Sequence, residues 1–223
     1  MTTTTDAVTV TTPDGERIPL EDAVCIVAGY AGRDATAVQA HIDELAAIGV
    51  RPPAHVPMFY AMEPETLTTR RVLDTSPTSS GEVEPVIVRQ DGQVYLGVGS
   101  DHTDRRLEAI DVLSSKRVCP KPIASTMVPV DLDDLAWDEC RISLSVDGVR
   151  YQEGGLDELR HPRELLDLLE QRGVVTADQD LVLFGGTVPL LRGAFVYGSA
   201  WELEITVPDG TRITHRYETA SAA

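Results

Sequence analysis

Basic residues are scarce in this 223-residue sequence: 19 Lys and Arg stand against 36 Asp and Glu, a net charge of −17. A surface that holds nucleic acid or an anionic membrane needs clustered Lys and Arg, so neither is expected as a partner. Small molecules, metal cations and other proteins stay open. Long apolar runs are missing too, and none approaches the roughly 18 residues of a membrane span. Cysteine is limited to Cys25, Cys119 and Cys140, too few and too irregularly spaced for a disulfide framework or a zinc box. Cys25 and Cys140 lie in apolar runs and read as buried thiols. Met1 to Asp6 is a threonine run without the basic and apolar regions of a signal peptide, so the cytoplasm is the expected compartment.

What is present is ordinary globular composition, 42% hydrophobic and 25% charged, in a length that suits one domain. Four hairpins stand out. Val8 to Thr12 and Arg17 to Leu20 flank Pro13-Asp14-Gly15. Pro85 to Gln90 and Gln93 to Val98 flank Asp91-Gly92. Arg141 to Val146 and Val149 to Gln152 flank Asp147-Gly148. Trp201 to Val207 and Thr211 to Tyr217 flank Asp209-Gly210. Each puts a glycine where a tight turn needs positive φ between β-rich runs. Ala23 to Ala28 and Leu181 to Phe184 read as buried strands. Asp34 to Ile48 predicts a helix with Val38, Ile42, Leu45 and Ile48 on one stripe, ended by Gly49. Pro162 to Arg172 predicts a second, opened by proline and closed by Gly173. Thr103 to Leu113 predicts a third. Thr75 to Gly81 reads as a polar loop, and Thr219 to Ala223 as a frayed tail. The fold class expected is α+β, rich in β, with three peripheral helices. Residues 1–22 would form an N-terminal hairpin packed on a single domain of residues 23–218, followed by the tail 219–223.

The candidate chemistry begins with Glu82 and Glu84. A spacing of two at the start of a strand puts both carboxylates on one face. Asp101 ends the paired strand, so the hairpin would bring three carboxylates together. Like charges that close call for a cation, and hard oxygen ligands suit Mg²⁺, Mn²⁺ or Ca²⁺. The same pattern also fits a solvated strand face in an acidic protein. His41 and Glu44 share a helix face, His41 within the apolar stripe, either as a water-activating pair or as a local surface ion pair. Lys116 could hold a substrate carboxylate or a developing enolate, or belong to a surface basic cluster. Gly185-Gly186-Thr187 follows a buried strand and would let backbone approach a ligand, or form a sharp turn. Arg33, in the loop after Gly29-Tyr30-Ala31-Gly32, is a candidate carboxylate binder. His55, His102, His161 and His215 are scattered and read as surface or capping residues. No Gly-x-Ser-x-Gly elbow or His-Glu-x-x-His motif occurs.

The order of these pieces resembles the fumarylacetoacetate hydrolase superfamily, in a bacterial branch of it. The opening strand Cys25-Ile26-Val27-Ala28-Gly29 is followed by His41-Ile42-Asp43-Glu44 and by Pro57-Met58-Phe59-Tyr60. Glu82-Val83-Glu84 matches the family's Glu-x-Glu. Asp101-His102-Thr103-Asp104-Arg105 matches its Asp-x-Thr-x-Arg, Lys116 its following lysine, and Gln152-Glu153-Gly154 its Gln-x-Gly. Gly186-Thr187-Val188 partly matches its late Gly-Thr-Pro loop, with the proline displaced to Pro189. The resemblance spans roughly residues 23 to 218.

The resemblance implies a mixed β-roll, a homodimer, and Glu82, Glu84 and Asp101 as ligands of one Mg²⁺ or Mn²⁺. With His41, Glu44 and Lys116 read as catalytic, it places Tyr60, Arg105, Gln152, Gly186 and Thr187 around a keto acid or 1,3-dicarbonyl substrate; Arg33 joins them on its loop position alone, in a stretch inserted relative to the family. Hydrolysis of a C–C bond is the reaction expected. An oxaloacetate-type decarboxylase, or a hydratase or isomerase, is the alternative on the same site. A non-catalytic binding module with the same fold is the alternative of another class.

Overall fold

The computed structural model describes residues 8–47 and 49–221. The threonine run Met1 to Asp6 and the stripe residue Ile48 lie outside the described residues.

A hairpin of β1 (Thr9–Thr11) and β2 (Arg17–Pro19) comes first, then β3 (Val24–Gly29) and α1 (Ala35–Ala47). Short strands follow: β4 (Met58–Met62), β5 (Leu67–Thr68), β6 (Val72–Thr75) and β7 (Ser79–Ser80). The long hairpin is β8 (Val83–Gln90) with β9 (Gln93–Ser100). Next come β10 (Thr103–Asp104), α2 (Arg105–Glu108), α3 (Val112–Arg117), β11 (Lys121–Pro122) and β12 (Val128–Pro129). The last third holds β13 (Arg141–Val146), β14 (Val149–Gly155), α4 (Pro162–Gln171), β15 (Leu181–Phe184), β16 (Ala200–Thr206) and β17 (Arg212–Ser221).

Two mixed sheets dominate: a six-stranded sheet in the order β12-β9-β8-β15-β3-β4 and a five-stranded sheet in the order β14-β13-β16-β17-β6. The six-stranded sheet is covered on both faces, which explains its unbroken apolar strands. Ile26, Ile87, Leu96, Val98, Leu181 and Leu183 pack with Ile142, Leu144, Trp201, Leu203 and Ile205 of the second sheet. The alternate residues Cys25, Val27, Val86, Val88, Val182 and Phe184 pack with Val10, Ile18 and Leu20 of the first hairpin. Burying one such side chain contributes about 1.5–3 kcal/mol. The turns at Asp91-Gly92 (φ 50° and 77°) and Asp147-Gly148 (φ 50° and 76°) put both central residues in the left-handed region, as a two-residue hairpin requires.

Four differences from the sequence expectation have physical causes. Thr103 to Leu113 is not one helix: β10 pairs with β7, then Asp104 caps α2 and Asp111 caps α3. That makes four helices in place of three among the described residues. Thr219 to Ser221 do not fray, because β17 continues and pairs in parallel with β6. Only Ile42 of α1 is buried, and His41 is exposed despite its place in the stripe. Finally, His102 and His215 are buried, whereas His55 is exposed and His161 caps α4. No helix among the described residues is long and apolar enough to cross a membrane.

His215 carries a pH prediction. Its Nε2 has no hydrogen-bond partner among the described residues. Burial, with the charge of Arg71, pushes the imidazole down from 6.5 to about 4. The unfolded chain therefore binds more protons across this interval, so stability is fully present above about pH 6.5 and falls as pH drops toward 4. The drop is at most about 3 kcal/mol. His215→Leu should flatten urea unfolding curves compared at pH 7 and 4.5; an unchanged pH dependence would refute the assignment.

Candidate active site

The hairpin of β8 and β9 delivers the carboxylates. Glu82 sits one residue before β8 and Asp101 one residue after β9. The Asp101 N–H donates to the Glu82 carbonyl at 3.0 Å, so the ladder extends past both strand ends. Glu84 pairs across the ladder with Gly99. A Cβ at Gly99 would come within 2.8 Å of Phe184 and Val86 and 2.9 Å of the Pro122 carbonyl, so only glycine lets these strands approach.

Each carboxylate is held differently. Arg105 at the start of α2 reaches Glu82 at 3.2 Å and Glu108 at 2.9 Å, and its guanidinium lies 4.1 Å from the Phe195 ring centroid. The Gly186 N–H donates to Glu84 Oε2 at 2.9 Å. Gly186 has φ 93°, and a Cβ there would lie 2.8 Å from Ala31. Lys116 bonds Asp101 Oδ2, and Lys121 stands 3.3 Å from Oδ1. Burial alone would raise the Asp101 carboxyl, but the two lysines outweigh it and hold it down at about 2. Burial, and then the charge of Asp101, push Glu84 well above the usual carboxylate range.

Lys121 is the residue that sequence reasoning missed. It is fully buried and donates to the carbonyls of His102 at 2.6 Å, of Cys119 at 3.3 Å, and of Lys116. The only signal was its setting, a lysine between two prolines leading into the apolar pair Ile123-Ala124. His102 was missed as well. Its ring is fixed between Ser79 at 2.9 Å and Tyr217 at 3.1 Å. That clamp anchors the turn from Asp101 to Thr103.

Other expected residues take different places. Tyr60 is buried, and the Lys116 ammonium lies 5.7 Å from its ring centroid. Gln152 is fully enclosed and spends its amide on the protein: Oε1 accepts from the Val83 N–H at 3.0 Å, and Nε2 donates to Thr187 Oγ1 at 2.8 Å and the Val188 carbonyl at 2.6 Å. The Thr187 hydroxyl donates to the Val83 carbonyl at 2.8 Å. Gln152 and Thr187 thus clamp Val83, the residue between the two glutamates. Arg105 is likewise engaged by Glu82 and Glu108. Arg33 is drawn away by Asp138, at 2.6 and 2.8 Å, and by the Leu159 carbonyl at 3.1 Å. His41 and Glu44 lie 4.0 Å apart with side chains 62% and 80% exposed. The His41 ring is 6.3 Å from that of Tyr30. Burial, then the charge of Glu108, raise the Tyr30 phenol, while Lys116 acts in the opposite sense.

The family model that matches residues 28–217 is described as "Protein of unknown function (DUF2848)". The chain belongs to the DUF2848 family. Among curated proteins, none matches. Solved structures show where the DUF2848 chain sits among folds. A protein from Oleispira antarctica assigned as a fumarylacetoacetate isomerase/hydrolase superposes with a TM-score of 0.64 at 15% identity, over 95% of this chain and 99% of that one. A protein from Yersinia pestis CO92 assigned to the fumarylacetoacetate hydrolase family gives 0.63 at 18%, over 94% and 100%. The apo form of 2-keto-3-deoxy-D-arabinonate dehydratase gives 0.59 at 17%, over 90% and 75%. The fold is that of the fumarylacetoacetate hydrolase family.

Among the described residues no three His, Cys, Asp or Glu side chains are arranged to hold a divalent ion as they stand; Arg105 pairs with Glu82 and Lys116 with Asp101. The chemistry of the donors nevertheless fits. Glu84 and Asp101 are both buried and each other's unfavourable neighbour, the situation that a hard cation relieves.

Proposed function

We propose that this DUF2848 protein is an enzyme, a metal-dependent hydrolase that cleaves a C–C bond in a keto acid or 1,3-dicarbonyl compound such as an acylpyruvate. The observation that supports the reading is that one hairpin end carries Glu82, Glu84 and Asp101, with the buried Lys116 ammonium on Asp101. Glu82, Glu84 and Asp101 would hold Mg²⁺ or Mn²⁺, with Ca²⁺ the weaker candidate. The ion, when bound, supplies Lewis-acid polarisation of a substrate carbonyl.

The chain's own groups account for the rest. The Gly186 N–H orients Glu84, and Gln152 with Thr187 fixes the strand between the ligands. Lys116 offers positive charge to the oxygen on which enolate charge develops. Tyr60 walls the ammonium from water. In hydrolysis, a water oxygen bonds to the carbonyl carbon, the C–C bond breaks, and its electron pair leaves as an enolate that takes up a proton. His41, oriented by Glu44, is proposed to take the proton from that water. Only one side chain of α1 is buried, and this role for His41 requires that lightly held helix to move toward the carboxylates. A small-molecule substrate and a homodimer in the cytoplasm complete the proposal.

Calorimetric titration with Mn²⁺ tests it. Saturable one-site binding to the wild type, lost in Glu82→Ala/Glu84→Ala, is expected. Absence of any Mn²⁺ effect on binding or on melting with and without EDTA would favour a non-catalytic binding module instead. His41→Ala should abolish acylpyruvate hydrolysis and spare Mn²⁺ binding. Substantial residual turnover of oxaloacetate in that variant would identify a decarboxylase.

A further inference from the structure

Asp101 is gripped by two lysines that differ in freedom. Lys121 is 0% exposed and tied to three backbone carbonyls, so it cannot leave without unravelling the turn around it. Lys116 lies in the last turn of the six-residue α3 and touches Asp101 through a flexible four-carbon stem. It has somewhere else to go. Its ammonium already lies 5.7 Å from the Tyr60 ring centroid, a cation–π contact that can hold it once Asp101 is released. A lysine ammonium and a directly bound divalent ion compete for one carboxylate oxygen, since the two cations repel at contact distance.

We propose that Lys116 is an exchangeable counter-cation: it neutralises Asp101 while the metal is absent and swings off Oδ2, still held by the Tyr60 face, when a divalent ion takes that oxygen. The inference rests on the assignment of Glu82, Glu84 and Asp101 as the ligand set. The lysine keeps a buried carboxylate paired in the empty protein, where an unpaired charge would be costly. Loading the ion then releases the ammonium toward the substrate side of the site. Metal binding and the placement of the enolate-stabilising charge become one event.

Two measurements test this without relying on turnover. Reductive methylation of the wild-type protein, read by peptide mass spectrometry, should label Lys116 at least about fivefold faster with millimolar Mg²⁺ than without, as expected for a group released from a closed contact. Lys121 should stay protected in both conditions, which separates displacement from local unfolding. In calorimetry, Lys116→Met should bind Mn²⁺ about tenfold or more tightly than the wild type, because the competing cation is gone. If the wild type binds Mg²⁺ and Mn²⁺ but Lys116 labelling does not change, or if Lys116→Met binds Mn²⁺ no more tightly, the exchange is overturned and the ligand set survives. If neither protein binds Mn²⁺, the ligand set itself is wrong and the exchange falls with it.

Discussion

Lys121→Met should be the most destabilising single change at this site, costing about 3–5 kcal/mol, because removing one partner of a buried ion pair leaves the other uncompensated. Methionine nearly preserves the volume of lysine, so the loss is electrostatic rather than a cavity. Three carbonyls lose their donor at once, those of His102, Lys116 and Cys119. Each buried acceptor left unpaired adds about 1–3 kcal/mol at most, and the turn can relax to recover part of it. In a chain of this size a melting-temperature drop of roughly 10 °C or more is expected. Lys116→Met should cost much less, since Lys121 still faces Asp101 and no backbone group depends on Lys116. Thermal melts of the two variants give the ordering directly, and an equal or reversed order would contradict the structural role of Lys121. Asp101→Asn combined with Lys121→Met should recover part of the loss, because the stranded charge disappears with its partner.

That ordering shows where the sequence could be read and where it could not. The hairpins were legible because an Asp-Gly pair fixes its own turn, as at Asp91-Gly92 and Asp147-Gly148. The two-fold alternation of buried side chains then fixed the faces. The carboxylates were legible for the same local reason: Glu82, Glu84 and Asp101 are placed by one hairpin and its register. Lys121 was not, because its partners come from a chain reversal after α3 that no local pattern announces. Arg33 looks available at the start of a helix, yet its partner Asp138 lies 105 residues away. The split of the expected helix at Ile110 was missed for a different reason. Asp104 and Asp111 both look like ordinary polar helix residues, and only their bonds to the N–H groups of Arg106, Leu107 and Ser114 mark them as caps. His41 shows the limit of periodicity. Spacing placed it on an apolar stripe, but α1 buries only Ile42, and the rest of that face remains partly open.

The clamp that Gln152 makes on Val83 carries the second large effect. Gln152→Leu should cost about 2–4 kcal/mol, since the Val83 N–H and the Val188 carbonyl each lose a buried partner and leucine supplies none. The consequence for function is larger than the loss of stability suggests. Val83 is the residue between Glu82 and Glu84, and it is held on both sides, by Gln152 at its N–H and by Thr187 at its carbonyl. Releasing the N–H side frees the end of β8 to shift relative to Asp101, so, on the proposed ligand set, Mn²⁺ affinity should fall about 10–100-fold, the range seen when partners that orient metal ligands are removed. A ligand-contact role predicts something different: Gln152→Leu would then leave Mn²⁺ affinity and melting temperature near wild type and raise only KM for the keto acid. Gln152→Glu separates the two further. Its carboxylate can still accept from the Val83 N–H but cannot donate to the Val188 carbonyl, so it should keep part of the Mn²⁺ affinity while losing stability. Calorimetry and thermal melts on the two variants decide the matter, because only the clamp couples metal affinity to an amide that never meets the ligand.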